Sequence, residues 1–138
     1  MKDEPFEVWP IGRVESPLLD RKAAPPQGDE GAPSAVIRLR TDVYEGARDI
    51  AVGDELLVLT WLHLADRETL AVHPRSDDSR PLTGVFSTRS PNRPNPIGLH
   101  RVRVLAVAPD RIEVDRLEAI NGTPVLDLKP VLGAQTER

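Results

Sequence analysis

The chain has 138 residues, 39% hydrophobic and 29% charged, with a net charge of −4. That balance fits one soluble globular domain over residues 1–138 with a modest core. It holds no apolar run long enough to span a membrane and no secretory signal at its start MKDEPFEV, and its lack of cysteine excludes disulfides, thiolate metal sites and a cysteine nucleophile.

Period-two patterns predict strands along most of the chain. The first covers 6–14 (FEVWPIGRV) and the second 35–40 (AVIRLR). Between them 21–33 (RKAAPPQGDEGAP), rich in proline, glycine and charge, is expected to be a mobile loop. Helix is scarce: 42–48 makes a turn or two, with Thr41 or Asp42 as its cap. After the Gly53-Asp54 turn, 55–64 (ELLVLTWLHL) is almost continuously apolar, as in a strand buried on both faces. Shorter candidates are 69–73 and 83–87. Residues 100–107 (HRVRVLAV) alternate, with Val102, Val104 and Ala106 inward, and Pro109-Asp110 turns the chain into 111–117 (RIEVDRL). The segment 125–128 closes the set, which predicts an all-β fold, a small and mostly antiparallel barrel with little helix.

The segment 84–98, GVFSTRSPNRPNPIG, is neither helix nor central strand. Pro91, Pro94 and Pro96 remove amide donors and push Ser90, Arg93 and Asn95 out of the helical region, so a stiff exposed loop is expected to present Arg89 and Arg93. Charge is unevenly spread. Residues 73–103 carry six arginines against two aspartates, a local +4 that leaves −8 for the rest. A basic tract on an acidic body suits a local anionic or phosphate-bearing partner. Arg101 and Arg103 read equally well as paired on a strand face. His63, His73 and His100 are the only histidines and show no ligand spacing, so no metal is expected.

Three ordered blocks carry a family likeness. The stretch 88–99, TRSPNRPNPIGL, resembles the signature of the TsaA/TrmO-like family of β-barrel S-adenosylmethionine-dependent methyltransferases. The block 121–130, NGTPVLDLKP, is similar to that family's DGTPVLDIKPY segment, and 10–17, PIGRVESP, to its first-strand IGxIxSP. The family's best-known reaction is N6-methylation of threonylcarbamoyladenosine in the tRNA anticodon loop. The resemblance thus implies the cofactor S-adenosylmethionine, a tRNA or related nucleoside acceptor and a homodimer with the cofactor near its interface, while the lack of cysteine fits a cytoplasmic location. A non-catalytic S-adenosylmethionine- or nucleotide-binding module, or a small-molecule methyltransferase of the same fold, is the alternative. Asn121, Pro26 and Val131 depart from the family pattern, where Asp, Arg and an aromatic residue are usual.

Carried over by position, cofactor contacts fall on Gln27, His63, Leu64, Arg89, Leu99, Asn121, Gly122, Thr123 and Pro124. The chemistry of the cofactor adds Leu126 for a greasy purine slot and Phe86 or Trp61 as an aromatic face for the sulfonium. Its carboxylate wants a guanidinium fork, Arg89 or Arg93. Arg93, Asn95 and Lys129 are expected to meet substrate. Methyl transfer needs mainly alignment. If an amide-like nitrogen must lose a proton, His63, His73 and Asp127 are candidate bases, with Lys129 nearby. Against these roles, His63 reads as a packed strand histidine and Asp127-Lys129 as an ion-pair element.

Overall fold

A computed structural model describes residues 3–17 and 34–133. The expected mobile loop 21–33, with Pro26 and Gln27, lies outside the described residues. The strands are β1 Gly12–Glu15, β2 Ala35–Leu39, β3 Glu55–Trp61, β4 Ala71–Val72, β5 Thr83–Gly84, β6 Ile97–Ala108, β7 Arg111–Val114 and β8 Pro124–Pro130. Six of them close a barrel in the order β1-β2-β7-β6-β3-β8, while β4 and β5 form a separate two-stranded sheet. Every pairing is antiparallel, including the β1–β8 seam that closes the barrel.

Alternation builds the interior. Val14, Ile37, Leu39, Leu56, Val58, Val102, Val104, Ile112, Val114 and Val125 all point inward and are at most 6% exposed. β-Branched side chains pack well on pleated walls and fill a barrel this narrow. The barrel and the scarcity of helix follow the sequence pattern, but several boundaries do not.

The first strand does not begin at Phe6. Residues 3–9 are exposed, with Phe6 at 89% and Trp9 at 67%, and pairing starts at Gly12. Gly12 is there because the strands approach closely: a Cβ would stand 2.3 Å from the Arg38 carbonyl oxygen. β3 ends at Trp61, short of Leu64, and buries one face fully (Leu56, Val58, Thr60) and the other in part. The helical segment is a 3-10 helix, Thr41–Ala47. Its cap position is Arg40 rather than Thr41 or Asp42, and it has no side-chain cap bond; the Arg40 guanidinium instead reaches the Pro10 carbonyl (3.1 Å) and Asp42 (2.6 Å).

Residues 85–87 leave β5 as a 3-10 turn. β6 is longer than 100–107, and its alternation breaks near Leu105. Val104 faces Val114 but Ala106 faces Glu113, so a bulge turns Ala106 outward, against expectation. β7 stops at Val114 because Asp115 Oδ1 accepts the Arg103 amide (2.7 Å) and Arg116 turns to φ 52°. Leu117 is buried all the same.

Candidate cofactor and substrate site

With its prolines unable to donate, the loop between β5 and β6 is held by side chains. The Val85 carbonyl accepts the Thr88 amide (3.1 Å), the Thr88 hydroxyl (3.0 Å) and the Arg93 guanidinium. Arg93 also donates to the Thr88 carbonyl from Nη1 (3.2 Å) and Nη2 (3.1 Å). Thr88 Oγ1 accepts the Ser90 amide (3.1 Å) and Ser90 Oγ the Asn92 amide (3.2 Å). The segment after β3 grips the loop from outside. Asn92 Oδ1 accepts the Asp66 amide (2.9 Å), and the Asp66 carbonyl accepts the Arg93 amide (3.0 Å). Arg67 donates to the Pro94 carbonyl (2.7 Å) and to Asn95 Oδ1 (3.0 Å) while its guanidinium lies 5.1 Å from the Trp61 ring centroid. Nothing in the sequence singled out Arg67, one more arginine in a polar turn whose partners lie 27 and 28 residues away.

Arg93, expected to meet carboxylate or substrate, is thus committed to the loop itself. Arg89 differs: it is exposed and makes no hydrogen bond or ion pair among the described residues. Phe86, three residues before it, is 82% exposed. The locked loop presents one unneutralised guanidinium and one open aromatic face.

The loop runs into β6, whose outer face carries an apolar strip. Trp61 faces Ile97, Leu59 faces both Leu99 and Asp127, and Leu57 faces Arg101 and Lys129. Ile97 and Leu99 are 44% and 43% exposed. The β3–β8 register slips between Leu59 and Thr60, which leaves Leu126 as the extra residue of a bulge. Arg101 and Arg103 both pair with Glu55, at 2.9 and 3.6 Å, and Arg101 holds the Glu55 carboxyl below its ordinary pKa.

The turn before β8 is sewn to β1. Asn121 Oδ1 accepts the Ser16 amide (3.1 Å), Gly122 donates to the Val14 carbonyl (2.7 Å), and the Thr123 carbonyl accepts the Val14 amide (2.9 Å). Buried Thr123 donates its hydroxyl to the Ile120 carbonyl (2.7 Å), and Gly122 sits at φ 86°, where glycine is favoured. The backbone of Gly122 and Thr123 is largely used in holding this shape. The amide nitrogen of exposed Asn121 and the surfaces of Pro124 and Leu126 are what the turn offers outward.

The titratable candidates separate. His63 and Leu64 are exposed in the turn after β3, so His63 is not the packed strand histidine its sequence context suggested. His73 donates from Nδ1 to the Arg80 carbonyl (2.8 Å). Asp127 pairs with Lys129 at 3.1 Å and accepts the Leu128 amide at 2.9 Å, the ion-pair element anticipated for those residues. Among the described residues no group of three or more histidine, cysteine, aspartate or glutamate side chains is placed to hold a metal ion. One buried polar chain escaped the sequence reading: Thr60 Oγ1 lies 2.7 Å from His100 Nε2, and His100 Nδ1 lies 2.6 Å from Glu118 Oε1.

The closed antiparallel barrel, with an arginine-proline loop locked against its wall, defines a small β-barrel protein that presents a cationic, part-apolar site. The chain belongs to the TsaA/TrmO-like family: residues 13–135 match the family described as the tRNA-methyltransferase O N-terminal domain. It is 38% identical over 130 residues to a probable S-adenosyl-L-methionine-binding protein of Methanothermobacter thermautotrophicus, covering 94% of this chain and 93% of that one. It is 39% identical over 120 residues to an S-adenosyl-L-methionine-binding protein of Archaeoglobus fulgidus, covering 87% and 85%. Its fold is similar to a crystal structure of TrmO from Pseudomonas aeruginosa, with a TM-score of 0.74 and 26% identity. That match covers 99% of this chain but 61% of the TrmO chain.

Proposed function

We propose that residues 1–138 form one barrel domain, a cytoplasmic, homodimeric S-adenosylmethionine-dependent methyltransferase. Its acceptor is a modified adenosine of tRNA, of the N6-threonylcarbamoyladenosine type, or a related nucleoside. The observation that carries this is Arg89, an exposed guanidinium with no partner among the described residues, beside exposed Phe86 on a locked loop. Membership of a tRNA-methyltransferase family and the names of the relatives support it.

S-adenosylmethionine supplies a methyl group on a sulfonium whose departure leaves a neutral thioether. The residues present suit such a ligand. Arg89 meets its carboxylate as a charge-assisted fork. Leu99, Leu126 and Pro124 offer apolar surface to a purine, and the Asn121 amide offers a donor. Phe86 offers the free aromatic face for a sulfonium, since the Trp61 ring already carries Arg67. On the substrate side, Asn95 keeps its amide nitrogen while its oxygen accepts from Arg67. The Lys129–Asp127 pair is surface-exposed and cheap to open. His63, exposed and without a partner among the described residues, is the group free to take a proton from an acceptor nitrogen. Exposed Ile97, Leu99 and Leu105 along the outer face of β6 give a second copy an apolar surface to cover.

Calorimetric titration with S-adenosylmethionine and S-adenosylhomocysteine tests the cofactor, and methyl transfer to modified tRNA tests the acceptor. Saturable binding of both ligands is expected; a folded protein that binds neither would overturn the reading. The second reading, a non-catalytic binding module or a small-molecule methyltransferase, is favoured by the pairing of Asp127 with Lys129 and by relatives named for binding alone. Binding without methyl transfer to tRNA would select it.

A further inference from the structure

The Thr60–His100–Glu118 chain stands out in an interior built mainly from Val, Ile, Leu and Ala, where Thr123 is the other buried polar side chain among the described residues. An aliphatic residue at position 100 would fill the barrel without burying polar atoms, which is costly unless each is satisfied. Here each is satisfied: among the described residues no buried side-chain nitrogen or oxygen lacks a partner. A carboxylate at Glu118 accepts from Nδ1–H, so a neutral ring leaves Nε2 to accept the Thr60 hydroxyl.

The two ends of the chain lie under different walls of the candidate site. Thr60 pairs with Gly98 on one side and Val125 on the other. A Cβ on Gly98 would stand 2.3 Å from Thr60 Oγ1 and 2.8 Å from His100 Nε2, so the backbone that ends the proline loop rests directly on that hydrogen bond. Glu118 lies in the connection before β8, two residues ahead of Ile120, whose carbonyl accepts both the amide (3.2 Å) and the hydroxyl (2.7 Å) of Thr123. The imidazole bridges the footing of the proline loop and the approach to the 121–124 turn.

We propose that His100 is a positioning residue that couples the proline loop to the 118–124 turn, so that both walls of the site take their ligand-ready arrangement together. The inference rests on the cofactor reading for its purpose, but not for its test. Thr60→Val keeps side-chain shape and removes the hydroxyl; Thr60→Ser restores it. In Thr60→Val, amide hydrogen exchange should speed up in both 84–98 and 118–124 while β2 and β7 keep their protection, and Thr60→Ser should behave as the parent. S-adenosylhomocysteine should bind Thr60→Val about tenfold more weakly, as for loss of one buried hydrogen bond. A merely structural role would loosen the barrel throughout. Loss of protection in only one segment, in neither, or across the whole barrel overturns the coupling. An affinity change below about twofold in a protein that binds the ligand does the same. If the parent protein binds no ligand the cofactor reading fails, and hydrogen exchange alone decides whether the two segments are coupled.

Discussion

Arg93 donates to the carbonyl of Thr88 from both terminal nitrogens, at 3.2 and 3.1 Å. An arginine that looks from its motif like a ligand contact is the internal brace of its own loop. Arg93→Ala should lower folding stability by roughly 1.5–3 kcal/mol, the range for hydrogen bonds from a charged donor. Arg93→Lys should not rescue it, since an ammonium lacks the planar fork that spans the Val85 and Thr88 carbonyls. Denaturant melts of the two variants measure this; a stability equal to the parent in Arg93→Ala would remove the brace.

Arg89 should show the opposite profile. Because it is exposed and makes no hydrogen bond or ion pair among the described residues, Arg89→Ala should melt like the parent protein. Its affinity for S-adenosylmethionine should fall by about 1.5–3 kcal/mol, one charged hydrogen bond's worth. Titration calorimetry on a variant of unchanged melting temperature separates the two effects, and unchanged affinity would take Arg89 out of the site.

Gly98→Ala should destabilise the barrel by about 1–3 kcal/mol, because the new methyl meets the Thr60 hydroxyl and the His100 ring in a closed interior. Thr60→Ala removes the nearer obstacle. The double variant should therefore lose less stability than the two single losses added together. Strict additivity would show that Gly98 is not seated on Thr60.

Acid should weaken the barrel through its surface pairs. The Arg38 guanidinium holds the Glu15 carboxyl below its ordinary 4.5, and Arg111 holds Asp110 below its ordinary 3.8. A carboxylate with a depressed folded-state pKa adds stability that is complete above its ordinary pKa and is lost as pH falls through the lower folded value. The melting temperature should thus be flat near neutrality and fall below about pH 4.5, less steeply at high salt, since these pairs are exposed. Glu15→Gln should flatten part of that fall, and an unaltered profile would leave Glu15 without a share in it.

The barrel was legible because its signal is local. The alternation of Ala35, Ile37 and Leu39, and of Ile112 and Val114, marks inward faces without knowledge of the partner strand. What was not legible depends on contacts distant in sequence. The outward turn of Ala106 comes from a bulge set by pairing with β7, and the early end of β7 from Asp115 capping Arg103. The mix of apolar and polar residues from Phe6 onward reads as a strand, yet no described strand lies alongside residues 3–9. In the site, the stiffness of the loop was readable from its prolines. Which of its arginines is spent and which is free was not, because that follows from where the Val85 and Thr88 carbonyls point. His100 escaped for the same reason, since its partners are 40 and 18 residues away.

The β1–β8 seam closes the barrel through the pairs Gly12–Val125 and Arg13–Pro124, so every barrel strand has a hydrogen-bonded neighbour on each side over at least part of its length. Exposed Leu99 and Leu105 offer side-chain surface rather than a terminal strand, and a neighbour that covers them settles on side chains. Such a contact can form and part without opening a single barrel hydrogen bond. The chain can carry a sticky flank on a barrel whose closed order has no terminal strand.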